Sequence, residues 1–264
     1  MPQLDPGAPT NSTLDLIAAR TSTRVYAPTP VTPAEKSAIL NAAFRAPTGG
    51  NMMQYSIIEV TDQALKDRLA VTCDDQPFIA KAPWVLVFLA DHQKWIDIFA
   101  ASDVGSIEVA DARMTPGLGD LLMACSDALI AAQNAVVAAE SLGIGSCYIG
   151  DILELGETHA EMFDLPPHVL PIAMLCFGRP VKPRDPVVRF SEHVVHENTY
   201  RRLTADELAE QIAEMGAHYA PHGMPEGLDN YGQAIYRRKF ASEFMTEMNR
   251  STAWWLERWQ RAER

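Results

Sequence analysis

A chain of 264 residues, 47% hydrophobic and 21% charged, has a globular composition, long enough for one large domain or two small ones. Its formal charge of −12 argues against a nucleic-acid backbone or an anionic membrane as partner, and makes any local cluster of cations informative. Cys73, Cys125, Cys147 and Cys176 form no C-x-x-C pair, which argues against a zinc ribbon or redox dithiol and fits reduced thiols in a cytoplasmic protein.

Residues 1–12 read as a flexible leader, polar and proline-rich, without the charged and apolar regions of a signal peptide. No uninterrupted apolar run approaches the ~20 residues of a bilayer span. Ser12 or Thr13 can cap a helix over Leu14–Ala19, with Asp15 in its first turn where the helix dipole favours it. Arg20-Thr21-Ser22-Thr23-Arg24 follows. By itself this run reads as a solvated surface turn, although guanidinium forks interleaved with hydroxyls are also the chemistry of a phosphate grip.

Thr32-Pro33-Ala34-Glu35 is a capping box with proline at the first helical position, so a helix is expected from Pro33 to about Phe44. The loop after it, Pro47-Thr48-Gly49-Gly50-Asn51-Met52-Met53-Gln54, is uncharged and rich in turn residues. It is either a plain connection or backbone left free to approach a ligand. Ser56–Thr61 reads as a strand and Gln63–Ala70 as a helix, with a polar interruption at Asp74-Asp75-Gln76. The continuous apolar run Trp84–Ala90 has the pattern of a strand covered on both faces. A helix is expected through Trp95, Ile96 and Phe99.

From Leu121 to Leu142 only Ser126, Asp127, Gln133, Asn134, Glu140 and Ser141 interrupt Ala, Leu, Val and Ile. A helix apolar on nearly every face is expected to be buried in a core or between subunits. Gly143 is its stop, and Cys147-Tyr148-Ile149 is a short strand between Gly145 and Gly150. Ile152–Phe163 reads as helix or loop, and Val169–Gly178 as a strand in which Pro171 marks a start or an edge. Lys182 and Arg184 lie two apart in a proline-stiffened stretch, so an extended backbone points them the same way. His193, His196 and Glu197 superficially suggest a metal, but no second ligand cluster at a known spacing supports one. Thr204–Glu207 is a capping box for a helix to about Tyr219. A last helix from about Gln233 carries Trp254, Trp255 and Trp259, which are expected to pack on the body of the protein or on a second subunit.

Four of these pieces occur together and in order. They are Arg-x-Ser-x-Arg-x-aromatic, Ala-Pro-Thr-Gly-Gly-Asn, Gly-Ile-Gly-Ser-Cys-Tyr-Ile-Gly, and Gly-x-Pro followed by Lys-Pro-Arg. Over residues 14–200 the chain resembles the FMN-dependent nitroreductase family, especially the oxygen-insensitive NADPH nitroreductases and related flavin reductases. The resemblance implies an α+β (α/β layered) fold, a mixed and mainly antiparallel sheet sandwiched by helices, in an intertwined homodimer with FMN at the subunit interface. Residues 13–264 are then one domain with a C-terminal helical extension over about 204–264.

The family's phosphate-binding positions match Arg20, Ser22, Lys182 and Arg184 here, and Arg24 matches the position reaching the ribityl and pyrimidine edge. Pro47, Thr48 and Gly49 match the loop supplied by the partner subunit, with Asn51 beside them. Gln76 matches a polar position near the ribityl or pyrimidine side. Tyr148, Ile149, Gly150 and Asp151 match the turn that meets flavin N5. The implied chemistry is ping-pong hydride transfer from NADPH or NADH through the flavin to nitroaromatics, quinones or free flavins, with no side-chain general base required. Ene reduction, dehalogenation and flavin storage without turnover are the competing readings. Two departures stand out. Asn51-Met52-Met53-Gln54 replaces the family's Asn-x-Gln-Pro-Trp, and Tyr219–Asp229 has no Arg or Lys for the 2′-phosphate of NADPH, leaving Arg201, Arg202, Arg237 or Arg238 as substitutes.

Overall fold

The computed structural model describes residues 10–109, 115–182 and 185–261. The elements in chain order are helix α1 (Ser12–Ala19), helix α2 (Pro33–Phe44), strand β1 (Tyr55–Glu59), helices α3 (Gln63–Thr72) and α4 (Pro77–Ala80), and strand β2 (Trp84–Asp91). There follow α5 (Gln93–Ala101), the long α6 (Leu118–Ser141), β3 (Gly145–Ile149), α7 (Gly156–Met162) and β4 (Val169–Gly178). The C-terminal part holds α8 (Ala205–Tyr219), α9 (Tyr231–Ile235) and α10 (Glu243–Gln260). Two compact units result: Thr10–Asp185 with Glu247–Arg264, and Pro186–Thr246.

Local signals account for most of these boundaries. The Thr32–Glu35 and Thr204–Glu207 capping boxes form as expected, each with the glutamate accepting the cap residue's amide at 2.8 Å. At α1 the cap is Asn11, not Ser12 or Thr13. Its Oδ1 accepts the amides of Thr13 and Leu14, so the helix starts at Ser12. The last helix is not continuous from Gln233. A π turn over Tyr236–Phe240 ends α9, and Ser242 divides the segments, its hydroxyl donating back to the Lys239 carbonyl and accepting the Met245 amide.

In the larger unit the strand order is β1-β2-β4-β3, every neighbouring pair antiparallel. The parallel element of the expected mixed sheet is confined, among the described residues, to an isolated bridge between Ser22 and Ser146 outside the four strands, and the sheet itself is antiparallel. Strands β2 and β4 are central and covered on both faces. Trp84, Leu86, Phe88, Leu175 and Phe177 face one core cluster, while Val85, Val87, Leu89, Met174 and Cys176 face the other. Pro171 fits the expectation of a strand start or an edge: β3 pairs with β4 only as far as Met174, so at Pro171 the strand has a neighbour on the β2 side alone. It sits near the start of β4, opposite Leu89, where the register shifts between Phe88 and Leu89. Helices α2 and α6 cover one face of the sheet, and α3 with Trp255 and Trp259 of α10 covers the other.

Helix α6 begins at Leu118, where the Gly117 amide donates to Asp120. It ends at Gly143, whose φ of 69° is the left-handed conformation expected of a stop. Ala124, Ala128, Ala131, Ala132, Ala135 and Ala139 line its inner side, letting the helix lie close against the strands. The expectation of burial on all sides does not hold within one chain. Leu118, Leu122, Met123, Leu129 and Ile130 form an exposed apolar stripe, with Leu122 68% exposed. By length and composition α6 could also cross a membrane, contrary to the reading from uninterrupted runs, but its buried face packs into the sheet core.

The smaller unit has amphipathic α8, with Tyr219 stacked on Tyr231 at 5.0 Å and its hydroxyl donating to the Val188 carbonyl. Among the described residues of this unit none is buried.

Candidate functional site

The cation-bearing segment after α1 is laid along the sheet edge. Ser22 bridges to Ser146, the Thr23 amide donates to the Ser146 carbonyl at 2.8 Å, and the Ala27 amide donates to the Arg179 carbonyl at 2.8 Å. Two glycines make room for it. A Cβ on Gly145 would meet Thr23 Oγ1 at 2.2 Å, and one on Gly178 would meet the Tyr26 ring at 2.6 Å.

This ribbon and the chain after β4 enclose a cleft of about 560 Å³ lined by Thr21, Thr23, Arg24, Val25, Glu140, Pro180, Val181 and Lys182. Arg24 and Lys182, distant in sequence, thus face one space. The Arg24 guanidinium lies over the Phe78 ring at 5.8 Å. The Arg20 charge acts on the Glu140, Cys147 and Tyr148 side chains, opposing the rise that burial causes in each. Burial pushes the Cys147 thiol up, opposed by Arg24, a Ser22 hydrogen bond and Arg20. Burial likewise raises the Glu140 carboxyl, opposed by Arg20 and by the Ser146 amide that donates to it. Among the described residues, Arg20, Arg24 and Lys182 form no ion pair with a carboxylate. Glu140 lines the same cleft, but neither Arg24 nor Lys182 is held by it in an ion pair, and cations left unpaired in this way fit an anionic ligand. Arg184 lies outside the described residues.

The loop Pro47–Gln54 is held elsewhere. Thr48 precedes a 3-10 turn over Gly49–Asn51, and Gly50, Asn51 and Met53 all have positive φ, at 60°, 59° and 48°. Its main anchor is Asp127 of α6, which accepts the Thr48 hydroxyl at 2.5 Å and the Gly49 and Gln54 amides at 3.2 and 3.1 Å. Trp95 Nε1 donates to the Met52 carbonyl at 2.9 Å, and Lys94 Nζ to the Tyr55 carbonyl at 2.7 Å. Asp127 and Glu140 are 13 positions apart on one helix, about 20 Å at 1.5 Å per residue. Within one chain, then, the loop and the cation cleft are not brought together.

Gln76 caps α4 next to Phe78, its side-chain amide donating to the Cys73 carbonyl at 2.8 Å. The Tyr148 hydroxyl donates to Gln133 at 3.3 Å, and Ile149 is buried. Gly150 has ordinary right-handed angles, and a Cβ there would meet no atom within 4 Å, so no contact inside this chain demands glycine. Asp151 opens a 3-10 turn, and its charge acts on Cys73 and Glu154. Glu154 is buried and lifted to about 7, first by desolvation and then by Asp151, Asp74 and Glu247. The His196 ring lies against that of Tyr200, tilted by 56° with centroids 4.9 Å apart, and among the described residues no group of His, Cys, Asp and Glu could hold a metal ion.

The model of the nitroreductase family matches residues 17–179. The chain belongs to this family. Among its relatives, the oxygen-insensitive NADPH nitroreductase of Salmonella typhimurium is 34% identical over 209 residues, covering 76% of this chain and 81% of the relative. The FMN reductase [NAD(P)H] of Bacillus subtilis is 32% identical, covering 76% and 79%. Among solved structures, the NADPH:FMN oxidoreductase from Vibrio harveyi complexed with NAD+ superposes with a TM-score of 0.74 at 26% identity, covering 92% of this chain and 98% of that one. The nitroreductase fold, an α+β sheet between helical layers, is thereby established for this chain.

The family match includes Arg20, Ser22, Arg24, the Pro47 loop and the Tyr148–Asp151 turn, and stops three residues short of Lys182. Reading the nitroreductase motifs in sequence overlooked Asp127, Glu140 and Phe78 as site neighbours. The signal for two of them was present: Asp127 and Glu140 are carboxylates within the nearly apolar α6.

Proposed function

We infer that this chain is an FMN-dependent NAD(P)H oxidoreductase. Membership of the nitroreductase family, with relatives named for FMN reduction and NADPH-dependent nitroreduction, is the broad support. The single observation that carries it is the cleft in which Arg24 and Lys182, distant in sequence, face one space, neither of them in an ion pair among the described residues.

In this reading Arg20, Ser22, Lys182 and Arg184 hold the dianionic phosphate of FMN, and Arg24, braced on Phe78, serves its ribityl and pyrimidine side. Gln76 and the Tyr148-Ile149-Gly150-Asp151 turn border the ring system. Bound FMN supplies the hydride chemistry between NADPH or NADH and an acceptor such as a nitroaromatic, a quinone or a free flavin. The protein contributes orientation, charge and exclusion of water. For the 2′-phosphate of NADPH, Arg201 is already engaged by Glu207 at 2.8 and 2.9 Å, which leaves Arg202, Arg237 and Arg238 as the cations to test.

The working form is a homodimer. The apolar stripe of α6 and the unburied unit over residues 186–246 both need a partner surface, and a second copy offers both. Pro47, Thr48, Gly49 and Asn51 then complete the site of the other subunit, which suits their separation from the cation cleft within one chain. A cytoplasmic location fits the four free cysteines.

The test is direct. The purified protein should be yellow or take up FMN when reconstituted, and mixing with NADPH or NADH should bleach it. Arg24→Ala and Lys182→Ala should each weaken FMN binding about ten- to hundredfold, the loss of one charge-assisted contact. A colourless protein that cannot be loaded with FMN ends this reading.

A further inference from the structure

The carboxylate of Asp127, only 5% exposed in the middle of apolar α6, has no place in the function described so far. All three of its bonded neighbours are donors: the Thr48 hydroxyl and the Gly49 and Gln54 amides. An acceptor-only group satisfies them together, whereas an amide would set its own N–H against at least one of them. The Thr48 hydroxyl has no freedom either. Its oxygen accepts the Met53 amide at 2.8 Å, so its proton points to Asp127. One carboxylate and one hydroxyl thereby gather the donors of a loop whose Gly50, Asn51 and Met53 are in left-handed conformation. Backbone of that kind persists where its surroundings over-determine it.

From α5 the Lys94 amine donates to the Tyr55 carbonyl and lies 5.7 Å from the centre of the Tyr55 ring, where the charges of Asp91 and Asp127 both oppose the lowering that burial imposes on it. The loop is thus shaped from three sides, by α6, α5 and β2, where the Asp91 amide donates to the Gln54 carbonyl at 3.1 Å. Its outer edge, by contrast, leaves Pro47, Gly50 and Asn51 exposed.

We propose that Asp127 is a positioning residue for the flavin, presetting the Pro47–Met53 loop in the shape that closes the cofactor site of the partner subunit. The inference rests on the reading that this loop lies against FMN in a homodimer. Asp127 touches no cofactor atom. It acts through Thr48 and Gly49, and across the subunit boundary. Carboxylate and cation cleft therefore belong to the same chain but serve different sites.

The experiment uses the full-length homodimer with Asp127→Asn, Thr48→Val and the double variant. FMN affinity is read by fluorescence titration of the apoprotein, and the bound flavin by its visible absorption and midpoint potential. Asp127→Asn should weaken FMN at least tenfold and move the absorption bands and the potential. Thr48→Val should do the same in the same direction, and the double variant should be no worse than Asp127→Asn, because the two act as one unit. Should Asp127→Asn fail to fold, Thr48→Val alone carries the test. A mixed dimer of an Asp127→Asn chain and an Arg24→Ala chain should keep one site of wild-type affinity, since both lesions fall on the other. Wild-type affinity, spectrum and potential in a folded Asp127→Asn or Thr48→Val dimer would overturn the proposal, as would a mixed dimer with both sites impaired. A wild-type protein that binds no FMN is a different result: it removes the functional reading and this inference with it.

Discussion

Ser251 holds both ends of the turn that leads from β3 into α7: its hydroxyl donates to the Leu153 carbonyl at 2.6 Å and accepts the Gly156 amide at 2.8 Å. Between them Leu155 is left-handed, its amide donating to Glu247 at 3.2 Å. The C-terminal helix therefore clamps the stretch that begins at Asp151. In Ser251→Ala the Leu153 carbonyl keeps the indole N–H of Trp255, but the buried Gly156 amide is left alone. The expected loss is about 1–3 kcal/mol in urea unfolding. Gly156→Ala should cost at least as much, because its Cβ would lie within 2.9 Å of Trp254, Ser251 and Trp255. If both variants unfold at the wild-type midpoint, the clamp contributes nothing.

Glu154 sets a pH dependence. Its folded-state value is lifted from 4.5 to about 7, so the folded protein holds a proton that the unfolded chain releases. Stability from this group is intact below about pH 4.5, falls as pH rises towards 7, and stays reduced above it. Glu154→Gln should therefore stabilise the protein at pH 8, on the order of 1–3 kcal/mol, and change little at pH 4. An equal effect at both pH values would contradict this assignment.

Gly145 controls how the cation ribbon seats. Gly145→Ala drives a methyl group into Thr23, whose Oγ1 and Cβ would lie at 2.2 and 2.8 Å. The ribbon carrying Arg20, Ser22 and Arg24 should shift, with weaker FMN binding and a loss of about 1–3 kcal/mol in stability. Calorimetric titration with FMN, alongside thermal unfolding, reads both effects. Unchanged affinity in the folded variant would show that ribbon placement is immaterial.

The stripe on α6 predicts an oligomeric state. Leu122→Glu places a charge at its most exposed apolar position without touching the core face. The wild-type chain should sediment as a dimer near twice its 29.1 kDa and the variant as a monomer or an aggregate. A variant that remains dimeric would move the interface elsewhere.

Sequence legibility followed the range of the forces involved. The Thr32 and Thr204 capping boxes, the Gly143 stop and the apolar run of β2 all announce themselves through neighbours in the chain, and the corresponding elements are where they were expected. The tryptophans of α10 were also expected to seek cover, and Trp255 and Trp259 are fully inside, with Trp259 Nε1 donating to the Gly117 carbonyl at 3.2 Å. What failed was local competition too fine for pattern: Asn11 outcompeting Ser12 as a cap, or Ser242 breaking a helix that composition alone would continue.

The sequence by itself determined the capped helices, the central strands and, through four ordered motifs, the family. It also placed Arg20, Arg24 and Lys182 among the residues worth testing. Only the tertiary structure decided that Arg24 and Lys182 share a cleft, that the Pro47 loop stands about 20 Å along α6 from it, and that α6 is covered on one side alone. The reason is physical. A cap or a periodic face is satisfied within a few residues, whereas the bonds of Asp127 to Gln54 and Thr48 span 73 and 79 positions and exist only once the chain has folded.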